Sequence, residues 1–243
     1  MRYAIISDIH GNLQALQALL ADIKKRSVDT IVCLGDIVGY YPNPQKCIDL
    51  IKKHVDLCVA GNHDYAAIEK INTSNFTFYA FAAMEWTKQN ISDKDRQYLA
   101  SLPLSVEQEQ MLFTHASPAR LGQWSYVFPD NEEAVVDAFN NLNHKLCFIG
   151  HTHWPSIMVK KQDRITINTD SSIKVKDNCT YLINVGSIGQ PRDFDRRSCY
   201  AIYDTRTVKL SLIRVKYNFK ATQRRIKDCR LPLFLAERLE KGR

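Results

Sequence analysis

No Cys-x-x-Cys pair occurs in this sequence, and its seven cysteines are an odd number. Neither a disulfide framework nor a cysteine-based structural zinc site fits that usage, and a reducing cytoplasm is the compartment expected. Long apolar runs are missing too. The best stretches, Ala4–Ile6 and Leu146–Ile149, are closed by polar residues well short of the ~18 residues that span a bilayer, so no membrane partner or integral membrane helix is expected. The opening Met1-Arg2-Tyr3 leads directly to Ser7, Asp8 and His10, which leaves no place for the charged, apolar and cleavage regions of a secretory leader. Internal repeats, low-complexity tracts and an interdomain linker are likewise not found.

What is present is ordinary for a globular chain: 45% hydrophobic and 24% charged residues over 243 positions, a length that suits one domain spanning residues 1–243. The net charge of +7 is unevenly placed. Residues 196–243 hold 14 Lys and Arg against 4 Asp and Glu, whereas residues 1–195 hold 19 against 22. A basic tail of this kind reads first as a solvated face or a subunit contact, with nucleic acid as a less favoured partner and a homo-oligomer left open.

Periodicity predicts strands at Tyr3–Ser7, Thr30–Leu34 and Leu57–Ala60, with helices from Asn12 and over Pro44–Lys53 between them, hence a parallel βαβαβ unit. Residues 75–100 are expected to be helical, with Phe76, Phe78, Tyr79, Phe81 and Trp86 in the core. Paired strands then follow around 106–113, a helix at 132–139, a strand at Leu146–Ile149, and a strand-rich stretch to Val215 that ends in two basic helices. Cys33, Cys58 and Cys147 lie in apolar strands, where a free cysteine acts as a small hydrophobe.

Metal-binding side chains recur at the carboxyl ends of these strands, where ligands bind in open α/β sheets. They are Asp8-x-His10, Gly35-Asp36, Gly61-Asn62-His63-Asp64, Thr114-His115 and Gly150-His151-Thr152-His153. Each alone has a structural explanation, such as a helix cap. Together they offer about seven carboxylate, amide and imidazole ligands, too many for one tetrahedral zinc and suited to two adjacent divalent ions. Mixed nitrogen and oxygen ligands accept manganese, iron, nickel, cobalt or zinc; manganese is the expectation.

In order and spacing, the series from Asp8 to His153 resembles the calcineurin-like metallophosphoesterases. The flanks Ser7-Asp-Ile-His-Gly-Asn12, Gly35-Asp-Ile-Val-Gly39 and Gly186-Ser-Ile-Gly-Gln-Pro-Arg-Asp193 resemble the small bacterial-type, phosphodiesterase-like branch. The resemblance implies a four-layer αββα sandwich of two mixed sheets with helices on the outer faces, and hydrolysis of small organic phosphate mono- or diesters. It implies that Asp8, His10 and His153 hold one ion, that Asn62, His115 and His151 hold the other, and that Asp36 bridges them. A shared carboxylate offsets the repulsion of two cations about 3.5–4 Å apart, and a bridging water with its pKa lowered toward about 7 would attack phosphorus in line.

His63 would then protonate the leaving oxygen or steady the phosphoryl oxygens, and Asp64 would orient it or merely start the next helix. Asn12, Tyr40 and Arg192 would touch substrate, although Arg192 also suits a surface ion pair with Asp193 or Asp195. Trp124, Tyr126 and Phe128 suit either packing or an aromatic wall for a base or aryl group. The arginine that phosphoprotein phosphatases carry before the Gly-Asn-His unit is Ala60 here, which disfavours that activity. A nuclease or RNA-processing phosphodiesterase, and a non-catalytic scaffold of the same fold, are the alternatives.

Overall fold

In β1 (Arg2–Ile6) of the computed structural model, which describes residues 1–243, alternate side chains enter different apolar layers: Tyr3 and Ile5 one, Ala4 and Ile6 another. Helix α1 (Leu13–Ile23), β2 (Thr30–Cys33), α2 (Pro44–His54) and β3 (Leu57–Cys58) follow, and the three strands run parallel as the periodicity predicts. Asn12 caps α1 by accepting from Ala15 N–H, and Pro44 opens α2, where its missing N–H costs nothing. Leu16, Leu19, Ile48 and Ile51 of these helices share the outer layer with Ala4 and Ile6.

The chain continues through α3 (Asn62–Ala67), α4 (Phe78–Gln89), α5 (Asp93–Ser101), β4 (Ser105–Gln108), β5 (Met111–Thr114), α6 (Glu132–Asn140) and β6 (Leu146–Ile149). Six further strands come next: β7 (Ser156–Lys161), β8 (Arg164–Asn168), β9 (Ser172–Lys174), β10 (Thr180–Asn184), β11 (Ser198–Asp204) and β12 (Lys209–Val215). Helices α7 (Phe219–Asp228) and α8 (Leu233–Lys241) close the chain.

One sheet has the order β3-β2-β1-β11-β12-β9 and the other β4-β5-β6-β10-β7-β8. Both are mixed, since β11 runs antiparallel to β1, and β10 is parallel to β6 but antiparallel to β7. Tyr3, Ile5, Val32 and Leu34 of the first sheet meet Phe113, Phe148, Ile157 and Ile183 of the second in the layer between them. The second sheet's other face, with Cys147, Ile149 and Leu182, is covered by Val135, Ala138 and Phe139 of α6. The result is the four-layer αββα sandwich, with the carboxyl ends of β1, β2, β5 and β6 at one edge.

Several expectations are corrected. Residues 75–100 are two helices, because Ser92 and Asp95 cap each other's backbone N–H groups and restart the chain as α5. Phe76 and Trp86 pack against the core as expected, but Phe78, Tyr79 and Phe81 do not: Phe78 is 75% exposed and Phe81 45%, since α4 buries its small face of Ala80, Ala83 and Thr87 with Met84. Strand β3 stops at Cys58, and Ala60 N–H turns away to Pro103 O, leaving Cys58 half-buried. The short edge strand β9 carried no periodic signal. The basic tail is only partly a solvated face, because Ile226, Leu231, Leu235 and Leu239 pack with Tyr40 and Tyr41 in a satellite core.

These placements give opposite expectations for two phenylalanines. Phe148 stacks on Phe113 with ring centres 5.4 Å apart, so Phe148→Ala should cost about 3–5 kcal/mol in a urea unfolding titration. Phe78→Ala should shift the same curve by no more than about 0.5 kcal/mol.

Candidate metal centre

Short strands deliver each ligand-type side chain to the same edge of the sandwich. Asp8 and His10 follow β1, Asp36 follows β2, Asn62 and His63 open α3, His115 follows β5, and His151 and His153 follow β6; all eight are buried. The backbone is bent sharply to aim them. Asp8, His10, Asp36, His151 and His153 all sit at positive φ between 52° and 66°, a region that costs non-glycine residues about 1–3 kcal/mol each and that clusters at functional sites. The first two loops brace each other through His10 N–H to Asp36 O (2.8 Å) and Gly11 N–H to Ile37 O (2.8 Å). Gly39, at φ 138°, leaves room for two rings at once, because a Cβ there would lie 2.6 Å from His63 Nδ1 and 2.9 Å from His10 Nδ1.

Carbonyl oxygens set the histidine tautomers. Val38 O lies 3.2 Å from His10 Nδ1, Gln190 O 2.6 Å from His153 Nδ1, and Leu34 O 2.8 Å from His115 Nδ1. A carbonyl only accepts, so each Nδ1 carries a proton and each ring turns its Nε2 inward. Those Nε2 atoms converge. His10 Nε2 and His153 Nε2 are 3.1 Å apart, and Asp8 Oδ1 lies 3.7 Å and 3.1 Å from them. Asp36 Oδ2 lies 3.5 Å from His10 Nε2 and 3.4 Å from His115 Nε2, which is itself 3.2 Å from His151 Nδ1.

Two imidazole nitrogens facing at 3.1 Å need a proton or a metal ion between them. Ligands held at about 2.0–2.2 Å from one ion lie roughly 3.0–3.5 Å from each other, which matches this spacing. Asp8 Oδ1 and Asn62 Oδ1 are buried without any hydrogen-bond partner, and such orphaned acceptors are what an ion satisfies. The residues therefore fit a divalent-metal site, with Asp8, His10 and His153 as one donor group and Asp36, His115 and His151 as another.

Charge state follows the same layout. Burial opposes ionisation of Asp36, but the facing His115 and His63 hold its carboxyl far below the usual range. Burial also opposes a proton on His115, yet Asp36 and Asp8 outweigh it and hold the ring at about 9. His151 and His153 are pushed down to about 3, chiefly by burial, and stay neutral. Burial keeps His63 well below its ordinary value, and its Nδ1 has no partner.

Asp64 does not touch His63. Its Oδ1 accepts from Ile37 and Val38 N–H (2.9 and 3.2 Å) and its Oδ2 from Gly61 N–H (3.0 Å), so it starts α3 and ties that helix to the Asp36 loop. Burial and Asp36 raise it to about 7 against those three donors, which favour the carboxylate. Asn12, expected to touch substrate, is fully buried, donates to Gly189 O, and accepts from Ala15 N–H and Thr222 Oγ1. Arg192 makes no surface ion pair. It donates to Gln190 Oε1 (2.8 Å) and the Tyr40 hydroxyl (3.3 Å), while Asp193 and Asp195 are taken by Arg214 and Arg197. Tyr40 lies 4.7 Å from both His10 and His63, ring centre to ring centre.

The downstream aromatics divide between the two readings. Trp124 packs edge-on to His115 and Tyr65, whereas half-exposed Tyr126 stacks on His151 at 4.1 Å with Phe128 beside it. Sequence reasoning missed Gln190, which orients His153 through its carbonyl and Arg192 through its amide; the quoted Gly186–Asp193 flank was its one signal. It also missed Asn184, whose amide donates to Gly150 O and Thr152 Oγ1 and so fixes the His151–His153 turn.

Residues 1–208 match the family model of the calcineurin-like phosphoesterase superfamily domain. An uncharacterized protein of Methanocaldococcus jannaschii is 41% identical over 244 residues, covering 99% of this chain and 98% of that one. The crystal structure of a metallophosphoesterase from Sphaerobacter thermophilus superimposes with a TM-score of 0.86 at 35% identity, covering 100% of this chain and 99% of that one. A hypothetical protein from Pyrococcus horikoshii shares the fold, with a TM-score of 0.81 at 20% identity over 100% of this chain and 98% of that one.

Two expectations follow. Asp64→Asn puts an NH2 group against the Gly61 N–H, and should lower unfolding stability by about 1–3 kcal/mol, seen as a lower melting temperature. His115 must lose its proton to bind a metal. Its raised pKa stabilises chelator-stripped protein below about pH 6.5, a contribution lost as pH rises through about 9. Metal affinity in a chelator competition should therefore climb up to about tenfold per pH unit from pH 7 to 8, and His115→Gln should flatten that slope.

Proposed function

Because the chain belongs to the calcineurin-like phosphoesterase superfamily, we propose that it is a divalent-metal-dependent hydrolase of small organic phosphate esters. The observation that carries this reading is the convergence of His10 Nε2 and His153 Nε2, 3.1 Å apart, beside Asp8. In it, Asp8, His10 and His153 hold one ion, Asn62, His115 and His151 hold a second, and Asp36, whose Oδ2 is nearly equidistant from His10 and His115, is shared. Manganese is the expected ion. When bound, such a pair polarises a phosphoryl oxygen and supplies a water nucleophile at neutral pH.

The protein's own groups do the rest. Asp36 stays ionised and balances the charge between the donor groups, while its Oδ1 accepts from His63 N–H at 2.8 Å and so places that residue. Burial keeps the His63 ring neutral, so it steadies a phosphoryl oxygen through an N–H rather than delivering a full proton. Arg192, braced by Gln190 and Tyr40, presents a guanidinium to the phosphate. Tyr126, lying over His151, offers an aromatic surface to the leaving group. The acidic balance of residues 1–195 leaves the attraction for phosphate to bound cations and Arg192.

Hydrolysis of p-nitrophenyl phosphate and bis-p-nitrophenyl phosphate by chelator-stripped protein resupplied with Mn²⁺ tests this. Activity should appear with the metal and fall at least about a hundredfold in Asp36→Asn. Survival of activity in that variant overturns the reading, and full metal occupancy without turnover of either ester identifies a binding protein instead.

A further inference from the structure

Lys220, Arg224, Arg225, Lys227 and Arg230 of the C-terminal segment are exposed, but Arg238 of α8 is half-buried. Its guanidinium carbon lies 5.9 Å from the centre of the Tyr40 ring, and that of Arg192 lies 5.8 Å from the same ring. Tyr40 in turn contacts the rings of His10 and His63, so both cations adjoin the metal centre.

The two guanidiniums have few acceptors. Arg192 uses Nε and Nη2 on Gln190 and Tyr40, and Arg238 uses Nε on the Arg243 carbonyl at 2.7 Å. Nη1 of Arg192 and both Nη atoms of Arg238 have no acceptor in the protein. No Asp or Glu side chain pairs with either, since the nearby carboxylates of Asp193 and Asp195 are engaged by Arg214 and Arg197. Burial lowers the pKa of Arg238, and the neighbouring charge of Arg192 adds to that effect. Two cations that share one ring repel each other, and an anion reaching their free Nη groups offsets that repulsion.

We propose that Arg192 and Arg238 form a second anion subsite beside the metal centre, which takes a second phosphate group carried by the substrate's leaving group. This rests on the phosphoesterase reading and narrows its substrate class to organic diphosphates and bisphosphates. Arg238 lies outside the residues 1–208 that match the family model.

Calorimetric titration of the manganese-loaded full chain with AMP, ADP and adenosine 3′,5′-bisphosphate tests it at two phosphate spacings. At least one doubly phosphorylated nucleotide should bind about tenfold more tightly than AMP, and Arg238→Gln should reduce that ratio to about two or less. Arg238→Lys should keep part of the preference, and Arg225→Gln, an exposed cation of α7, should leave it intact. An unchanged ratio in folded Arg238→Gln protein, or no preference in the unsubstituted chain, overturns the subsite. Should Arg238→Gln fail to fold, the Arg238→Lys and unsubstituted ratios still decide. The titration reads binding, so a protein that turns over no phosphoester refutes the phosphoesterase reading while the ratio independently judges the subsite.

Discussion

Imidazole nitrogens and carboxylate oxygens are held 3.1–3.7 Å apart in the buried edge between two sheets, and polar atoms do not stay so crowded without restraint. The restraint comes from the shell around them. Three backbone carbonyls, at Leu34, Val38 and Gln190, each take an Nδ1 proton and so turn a ring inward. Asp64 binds three backbone N–H groups and locks the α3 turn against the Asp36 loop. Ser187 Oγ and Gly189 N–H both donate to Asp8 O, which ties the first ligand loop to the one carrying Gln190 and Arg192. Five ligand-type residues accept a left-handed backbone as the consequence.

That arrangement explains why the sandwich needs both sheets. The first sheet supplies Asp8, His10 and Asp36, the second His115, His151 and His153, and the groups Asp8–His10–His153 and Asp36–His115–His151 each draw on both. The interlayer of Tyr3, Ile5, Phe113 and Phe148 fixes the distance between the sheets, so metal geometry depends on core packing as much as on the ligands. The C-terminal helices enter the same network from a third side. Their apolar faces pack with Tyr40 and Tyr41, and Arg238 is drawn in with them.

The βαβαβ start, most later strands and the candidate metal-binding side chains were legible because they depend on local periodicity and on side-chain chemistry at strand ends. Apolar alternation placed β1, β2 and β6, and the clusters at Asp8, Asp36, Asn62, His115 and His151 lay just after apolar runs. Errors arose where a choice depended on a partner distant in the chain. Phe78 and Phe81 of α4 look like core residues until the helix is seen to bury its alanines, and nothing near Asn12 in the sequence shows that Thr222 and Gly189 lie against it.

The sequence by itself determined which side chains could bind a metal and in what order the chain presents them, because ligand chemistry belongs to each residue. Only the tertiary structure decided what those residues face. It brought His10 within 3.1 Å of His153 across 143 positions, turned Asp64 away from His63, and released Arg192 from its acidic neighbours to lie on Tyr40. It also put Arg238 of the basic tail beside the same ring. The physical reason is common to all four: hydrogen-bond and charge partners are chosen by distance in space, which packing of the two sheets and the last helix sets and local sequence does not encode.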